Sequence, residues 1–131
     1  MFDHIGLQVA DLARSRAFYT DLLAVLGHRL VMEIGADQTG GYAGAGFGPD
    51  AKPQFWIGHW PGVTPAGGTH VALSAASRAQ VDAFHAAAMA AGARDNGAPG
   101  LRPHYHPGYY AAFVLDPDGH NIEAVCHGME P

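Results

Sequence analysis

The fold is decided by a stretch that occurs twice: HIGLQVADLARSRAFYTDLL at residues 4–23 and HVALSAASRAQVDAFHAAAM at residues 70–89. With a shift of 66 residues, six of the twenty positions are identical. The identical pairs are His4/His70, Leu7/Leu73, Ala10/Ala76, Ala13/Ala79, Ala17/Ala83 and Phe18/Phe84. Such self-similarity indicates two copies of one supersecondary unit. We therefore predict a single domain over residues 1–131, with module one at 1–64 and module two at 68–127.

Each copy begins with a strand pattern and continues with a helix pattern. Apolar residues alternate with small or polar ones over 3–9 and over 69–75, which predicts two strands. Asp11 and Ser77 follow and are good helix N-cap residues, since their side-chain oxygens accept from the first turn. Gly27 and Gly92 are typical of helix C-termini.

Three strand-like segments follow each helix, at roughly 28–34, 41–47 and 54–60, then at roughly 93–97, 109–115 and 120–126. Residues 116–119, Asp-Pro-Asp-Gly, predict a tight turn between the last two. The sequence therefore predicts an α+β fold of two βαβββ modules that form a curved mixed sheet around a concave cavity. The glycine-rich segment 40–48 lacks the ending of a phosphate-binding loop, so we interpret it as a flexible hairpin.

The composition excludes some function classes. The formal net charge is −5 and no basic run exists, so we expect no nucleic-acid partner. No apolar stretch approaches the roughly 20 residues of a membrane helix. A single cysteine and no secretory signal pattern favour the cytoplasm. Only 15% of residues are charged, and this sparse charge favours a homodimer.

Three residues are candidate metal ligands. His4 and His70 occupy equivalent positions, and Glu123 on the final strand is predicted to point into the same concavity. Two imidazoles and one carboxylate are a ligand set suited to Fe(II) or Mn(II), with Zn(II) and Ni(II) as alternatives. A cation also gives a carboxylate in a cavity a reason to be there. The plain alternative is a pair of hydrogen-bonded strand histidines and a solvent-facing glutamate.

The segment 101–110, which contains Pro103 and Pro107, is a second polar cluster. It predicts a stiff loop at the rim of the cavity. His104, His106 and Tyr110 are candidates for acid–base work there. The alternative is that these rings pack at a dimer interface.

Taken in order, several runs resemble the vicinal oxygen chelate superfamily, which includes glyoxalase I, extradiol dioxygenases, fosfomycin-resistance transferases and bleomycin-binding proteins. The runs are His4–Asp11, Phe18-Tyr19, Leu22-Leu23, His70–Leu73 and Asp116–Glu123. The resemblance implies paired βαβββ modules, a metal ion on the concave face and frequent dimerisation.

The chain departs from glyoxalase I-like members at one position. They use a fourth ligand, a glutamate on the last strand of the first module, and Ile57 is the best match here. His59, two residues further on, is a candidate substitute donor or acid–base group. The remaining three-ligand set resembles the extradiol dioxygenases. We therefore expect a metal-dependent enzyme acting on a small-molecule substrate, with dioxygenase chemistry ahead of lyase or isomerase chemistry. The alternative is a metal-free protein that sequesters a small molecule, with Trp56, Trp60 and the tyrosines as its contact surface.

Overall fold

The computed structural model describes residues 1–128 of the chain. The chain divides into two compact units, Met1–Ala66 and a second that begins at Gly67. Each unit contains one 13-residue helix and one four-stranded sheet. The predicted α+β fold with two βαβββ modules is confirmed. Nowhere in residues 1–128 is a helix both long and apolar enough to cross a membrane.

The first unit contains β1 (Ile5–Gln8), α1 (Leu12–Ala24), β2 (Arg29–Ile34), a short α2 (Ala36–Thr39), β3 (Ala43–Gly48) and β4 (Phe55–His59). The strand order is β1-β4-β3-β2, with β1 parallel to β4 and the other pairs antiparallel. The sequence pattern did not predict α2. This single turn is closed locally, because the side chain of Gln38 accepts from the Gly35 amide at 2.7 Å and Gly40 ends it with φ of 81°.

The second unit contains β5 (His70–Ser74), α3 (Arg78–Ala90), β6 (Arg94–Leu101), β7 (Tyr110–Leu115) and β8 (Asn121–Cys126). Its strand order, β5-β8-β7-β6, repeats that of the first unit. The strand β6 reaches Leu101 and is longer than the predicted 93–97. The stiff connection between β6 and β7 is therefore shorter than the predicted loop.

Helix capping follows the sequence prediction. The Asp11 carboxylate accepts from the Arg14 amide at 3.1 Å, and the Ser77 hydroxyl accepts from the Gln80 amide at 3.2 Å. Gly27 and Gly92 have φ of 85° and 92°, a left-handed conformation that only glycine adopts without strain. The same capping logic thus fixes both helices.

Each helix packs on one face of its own sheet and buries an apolar core there. We call the opposite side of each sheet its helix-free face. The fully or nearly fully buried side chains between helix and sheet include Phe18, Leu22, Leu23 and Ile57 in the first unit and Val81, Phe84, Val114, Ile122 and Ala124 in the second. Burying one large apolar side chain contributes about 1.5–3 kcal/mol, so these residues hold each helix in place.

The interpretation of residues 40–48 as a flexible hairpin is wrong. Residues 43–48 form β3, and Gly44, Gly46 and Gly48 are buried in it. A Cβ on Gly46 would lie 2.9 Å from the indole of Trp56, and one on Gly44 would lie 2.6 Å from the hydroxyl of Tyr42. The glycines are therefore explained by large rings that lie against the strand, not by flexibility.

Candidate functional site

A histidine and a glutamate meet on neighbouring strands of the second unit. β5 runs parallel to β8, with His70 opposite Asn121 and Ala72 opposite Glu123. The imidazole Nε2 of His70 lies 3.0 Å from Oε1 of Glu123, and its Nδ1 lies 3.0 Å from the carbonyl oxygen of Asn121. The Glu123 side chain is 2% exposed and that of His70 is 47% exposed. A buried carboxylate therefore faces an accessible imidazole.

The hydrogen-bond network decides where the protons lie. A carbonyl oxygen can only accept, so Nδ1 of His70 carries the proton that it donates to Asn121. In a neutral ring Nε2 then presents a lone pair to the Glu123 carboxylate. Two lone pairs repel, so the pair requires a shared proton or a cation. This is an arrangement that a metal ion would stabilise.

Tyr109 completes the environment of the carboxylate. Its hydroxyl donates a short hydrogen bond to Oε2 of Glu123. Burial, followed by the hydrogen bond to Glu123 and the charge of that carboxylate, raises the pKa of Tyr109 to about 12. The phenol therefore remains a neutral donor at physiological pH.

Tyr109 is not one of the sequence-predicted site residues, and its neighbour Tyr110 lies on the other face. Tyr110 is opposite Cys126 in the ladder, and its hydroxyl donates to Asp82 of α3 at 2.6 Å. The tight turn at 116–119 fixes the register between β7 and β8, and this register determines which of the two tyrosines faces Glu123. It sets Phe113 opposite Glu123, and alternation then puts residue 109 on the Glu123 face.

The two histidines of the predicted rim loop, His104 and His106, lie in different environments. His106 Nε2 lies 2.8 Å from His127 Nδ1, and their rings stack with centroids 5.0 Å apart. Both rings meet the Tyr109 ring edge-on at 5.2 Å. His104 instead packs against Tyr105, with centroids 4.2 Å apart. Of the two predicted rim histidines, His106 is therefore the one beside the tyrosine that holds Glu123.

His4 lies in the first unit, just before β1. Its Nδ1 is 2.7 Å from Oδ1 of Asp3, and the Lys52 ammonium is 3.0 Å from the same oxygen. The hydrogen bond to His4, then that to Lys52, holds the pKa of Asp3 below its ordinary value. The His4 side chain is 56% exposed. A carboxylate that holds Nδ1 leaves Nε2 free, which is the usual arrangement around a metal-binding histidine.

The predicted position of the missing fourth ligand, Ile57, is wrong by one residue. Ladder pairing sets Trp56 opposite Gly6, as Glu123 is opposite Ala72, whereas Ile57 is fully buried beneath α1. Trp56 is thus the counterpart of Glu123. By alternation His59 shares the face of Ile57, and its Nδ1 lies 3.1 Å from the carbonyl oxygen of Val9.

A cavity of about 620 Å³ lies in the first unit. Its apolar lining consists of the rings of Tyr42, Trp56 and Trp60 together with Ile34 and Pro53, and its polar lining of the hydrogen-bonded group Asp3, His4 and Lys52. Within the described residues, no group of three or more His, Cys, Asp or Glu side chains could by itself hold a metal ion. Of the three candidate metal ligands, His70 and Glu123 lie together in the second unit and His4 lies in the first.

The chain is similar to known proteins over most of its length. The family model described as "Glyoxalase/Bleomycin resistance protein/Dioxygenase superfamily" matches residues 1–124. No curated protein matches the chain.

Solved structures resemble it throughout. A glyoxalase/bleomycin resistance protein from Albidiferax ferrireducens T118 is 30% identical, with a TM-score of 0.74, over 95% of this chain and 97% of that one. A glyoxylase/bleomycin resistance protein/dioxygenase domain from Frankia sp. EAN1pec is 20% identical, with a TM-score of 0.72, over 95% of both chains. Glyoxalase I from Zea mays is 20% identical, with a TM-score of 0.74, over 98% of this chain but 45% of that one.

Proposed function

Because the chain belongs to the glyoxalase/bleomycin resistance protein/dioxygenase superfamily, we propose that it is a metal-dependent enzyme acting on a small oxygen-bearing substrate. One observation carries the proposal. The Glu123 carboxylate is 2% exposed and lies 3.0 Å from the accessible imidazole of His70. Such a carboxylate is costly to bury unless a cation joins the pair.

The donor set fits one divalent metal ion. His70 Nε2 and Glu123 Oε1 lie 3.0 Å apart, so both atoms would be able to hold the same ion. His70 and His4 both have Nδ1 engaged by an oxygen, which leaves Nε2 as the donor. We propose that His4, from the same chain or from a second copy in a homodimer, is the third ligand. Fe(II) and Mn(II) suit this set best, ahead of Zn(II) and Ni(II).

The chain's own residues define what the site can do. When bound, the ion supplies a Lewis acid for substrate oxygens. Tyr109 holds the second oxygen of Glu123 as a neutral donor, so the carboxylate keeps one orientation. The indole of Trp56 occupies the position that corresponds to the fourth ligand, a glutamate, of glyoxalase I-like members. Three protein ligands favour dioxygenase-like chemistry over the four-ligand glyoxalase I type.

The test is metal content. Tag-free protein purified without chelators is compared with Glu123→Gln, and with Glu33→Gln as the control because Glu33 is an exposed glutamate paired with Arg16. We expect about one metal equivalent per chain in the wild type and in the control, and a loss in Glu123→Gln. The metal-bound protein would then be assayed for oxygen uptake with catechol-like substrates. Metal-free wild type, even after anaerobic reconstitution with Fe(II), would overturn the proposal.

The cavity in the first unit favours a second candidate function. Its lining includes the three aromatic side chains of Tyr42, Trp56 and Trp60. A protein that binds and sequesters a small molecule needs only such a cavity. Ligand binding by metal-free protein with no turnover in any metal-loaded form would favour this candidate.

A further inference from the structure

The first unit has an aromatic side chain, Trp56, at the strand position where the second unit has a charged one. At the place where the second unit has Glu123, the first has an indole. A Cβ on Gly46 would lie 2.9 Å from Cε2 and 3.0 Å from Cζ2 of Trp56, and 2.8 Å from Cβ of Pro53. The six-membered part of the indole therefore fills the space directly over Gly46. Any larger residue at 46 would lift it from the sheet.

Tyr42 is accommodated in the same way. Its ring fills the space over Gly44 and Gly58, where a Cβ on Gly44 would lie 2.6 Å from the hydroxyl oxygen. The Trp60 ring lies beside it, with centroids 5.4 Å apart and planes inclined by 46°. Three glycines thus form a floor on β3 and β4 on which two large rings rest. These rings lie on the helix-free face, because the core under α1 is already filled by Phe18 and Ile57.

The rings leave a usable volume above this floor. The cavity of about 620 Å³ is in the range of small-molecule sites, and Trp56 and Tyr42 are only partly buried. Aromatic rings bind other flat π-systems in offset or edge-on arrangements better than saturated groups of the same size. The lining therefore selects for shape as well as for apolar character.

The polar residues of the cavity determine which polar group a ligand should carry. The Lys52 ammonium lies 3.0 Å from the Asp3 carboxylate, and Nδ1 of His4 donates to the same carboxylate at 2.7 Å. No charge is left uncompensated in this group. A neutral hydroxyl or carbonyl suits it better than an anion, which would compete with Asp3 for Lys52.

We propose that the first unit binds a planar, uncharged aromatic molecule, with one face against the indole of Trp56 and a hydroxyl or carbonyl group toward His4 and Lys52. The inference rests on the proposed function in taking the helix-free face as the ligand site, but it does not require the metal. Trp56 is then the residue that determines specificity. The ligand class is an aromatic ring system with oxygen at one end.

The experiment compares 1-naphthol with decahydro-1-naphthol, which has the same carbon skeleton but is saturated, by calorimetric titration of chelator-treated protein. We expect the aromatic compound to bind about two- to tenfold more tightly, in line with ring-stacking energies. Trp56→Leu should abolish this preference and Trp56→Phe should keep most of it. Equal affinity for the two compounds, or a preference that survives in Trp56→Leu, would overturn the proposal.

A fluorescence measurement locates the ligand independently. The chain has two tryptophans, so Trp60→Phe leaves Trp56 as the only indole emitter. Saturating 1-naphthol should quench that emission, and unchanged emission with calorimetric binding would place the ligand elsewhere and overturn the proposal. Glu123→Gln separates this inference from the metal site, because it should lose metal and still bind 1-naphthol. Failure of naphthol binding in protein that holds metal would refute only the aromatic site.

Discussion

His70 Nε2 lies 3.0 Å from Glu123 Oε1 although the two residues are 53 positions apart in the sequence. The contact follows from the parallel pairing of β5 with β8, which sets Ala72 opposite Glu123 and His70 two residues away along the edge strand. Because backbone pairing fixes the contact, metal-free and metal-bound protein should share it. If the proposed metal site exists, the pair is its preformed half.

Metal should stabilise the fold only when Glu123 is present. Glu123→Ala removes the acceptor of the part-buried Tyr109 hydroxyl and the partner of His70 Nε2, and leaving such a donor unpaired costs about 1–3 kcal/mol. We expect urea unfolding of metal-free Glu123→Ala to show a loss of this size. Metal at one hundred times its dissociation constant should raise the unfolding free energy of the wild type by about 2.7 kcal/mol, and leave the variant unchanged. Equal stabilisation of both proteins would place the metal elsewhere.

Loss of the hydroxyl should weaken metal binding at Tyr109 but not at its neighbour Tyr110. Tyr109→Phe removes the donor that orients Glu123, and loss of such a support typically costs about 10–100-fold in metal affinity. Tyr110→Phe removes the hydroxyl that donates to Asp82 on α3, away from Glu123, so it should lower stability by about 0.5–1.5 kcal/mol with metal affinity unchanged. Competition with a chromophoric chelator measures the affinity. The idea is lost if both variants weaken metal binding equally.

Tyr109 should titrate at a higher pH than an ordinary tyrosine. Its pKa is raised from 10.0 to about 12, mainly by burial and then by the bond to Glu123. Between these values the unfolded chain releases the phenolic proton and the folded chain retains it. The contribution to stability is therefore complete below pH 10 and is lost as the pH rises toward 12. Tyrosinate absorbance against pH should show a late component that is missing in Tyr109→Phe.

The rim histidines give a further matched pair. His106 shares a hydrogen bond with His127 and contacts Tyr109, whereas His104 packs on Tyr105. We expect His106→Ala to change metal affinity or turnover through Tyr109, and His104→Ala to change neither. A larger effect of His104→Ala on metal affinity or turnover would contradict this expectation and assign the role to His104.

Much of this arrangement could be predicted from the sequence. Repeated strand and helix patterns, with Asp11 and Ser77 as caps, gave the modules, because alternation and capping are local properties. Glu123 was assigned to the helix-free face by alternation alone.

Two other features depended on pairing between strands. Sequence comparison assigns the counterpart of Glu123 to Ile57, whereas strand pairing assigns it to Trp56, because the loop before β4 and the loop before β8 differ in length. Tyr109 was overlooked in favour of Tyr110, although the turn at 116–119 contained the register that separates them. A slip of one residue exchanges the two faces of a strand, so register was the missing information.

The glycines under the rings provide the last prediction, which concerns stability. Gly46→Ala would place a Cβ 2.8 Å from Pro53 and 2.9 Å from the Trp56 indole. Neither neighbour is the free end of a flexible chain, so the ring must move, and overpacking of this kind costs about 1–3 kcal/mol. Gly6→Ala is the control. Gly6 lies opposite Trp56 on β1, and its Cβ would meet Trp56 at 3.7 Å, an ordinary contact. Urea unfolding should show a loss for Gly46→Ala and almost none for Gly6→Ala. If both are tolerated equally, the indole does not rest on Gly46, and the aromatic floor of the first unit is not a rigid platform.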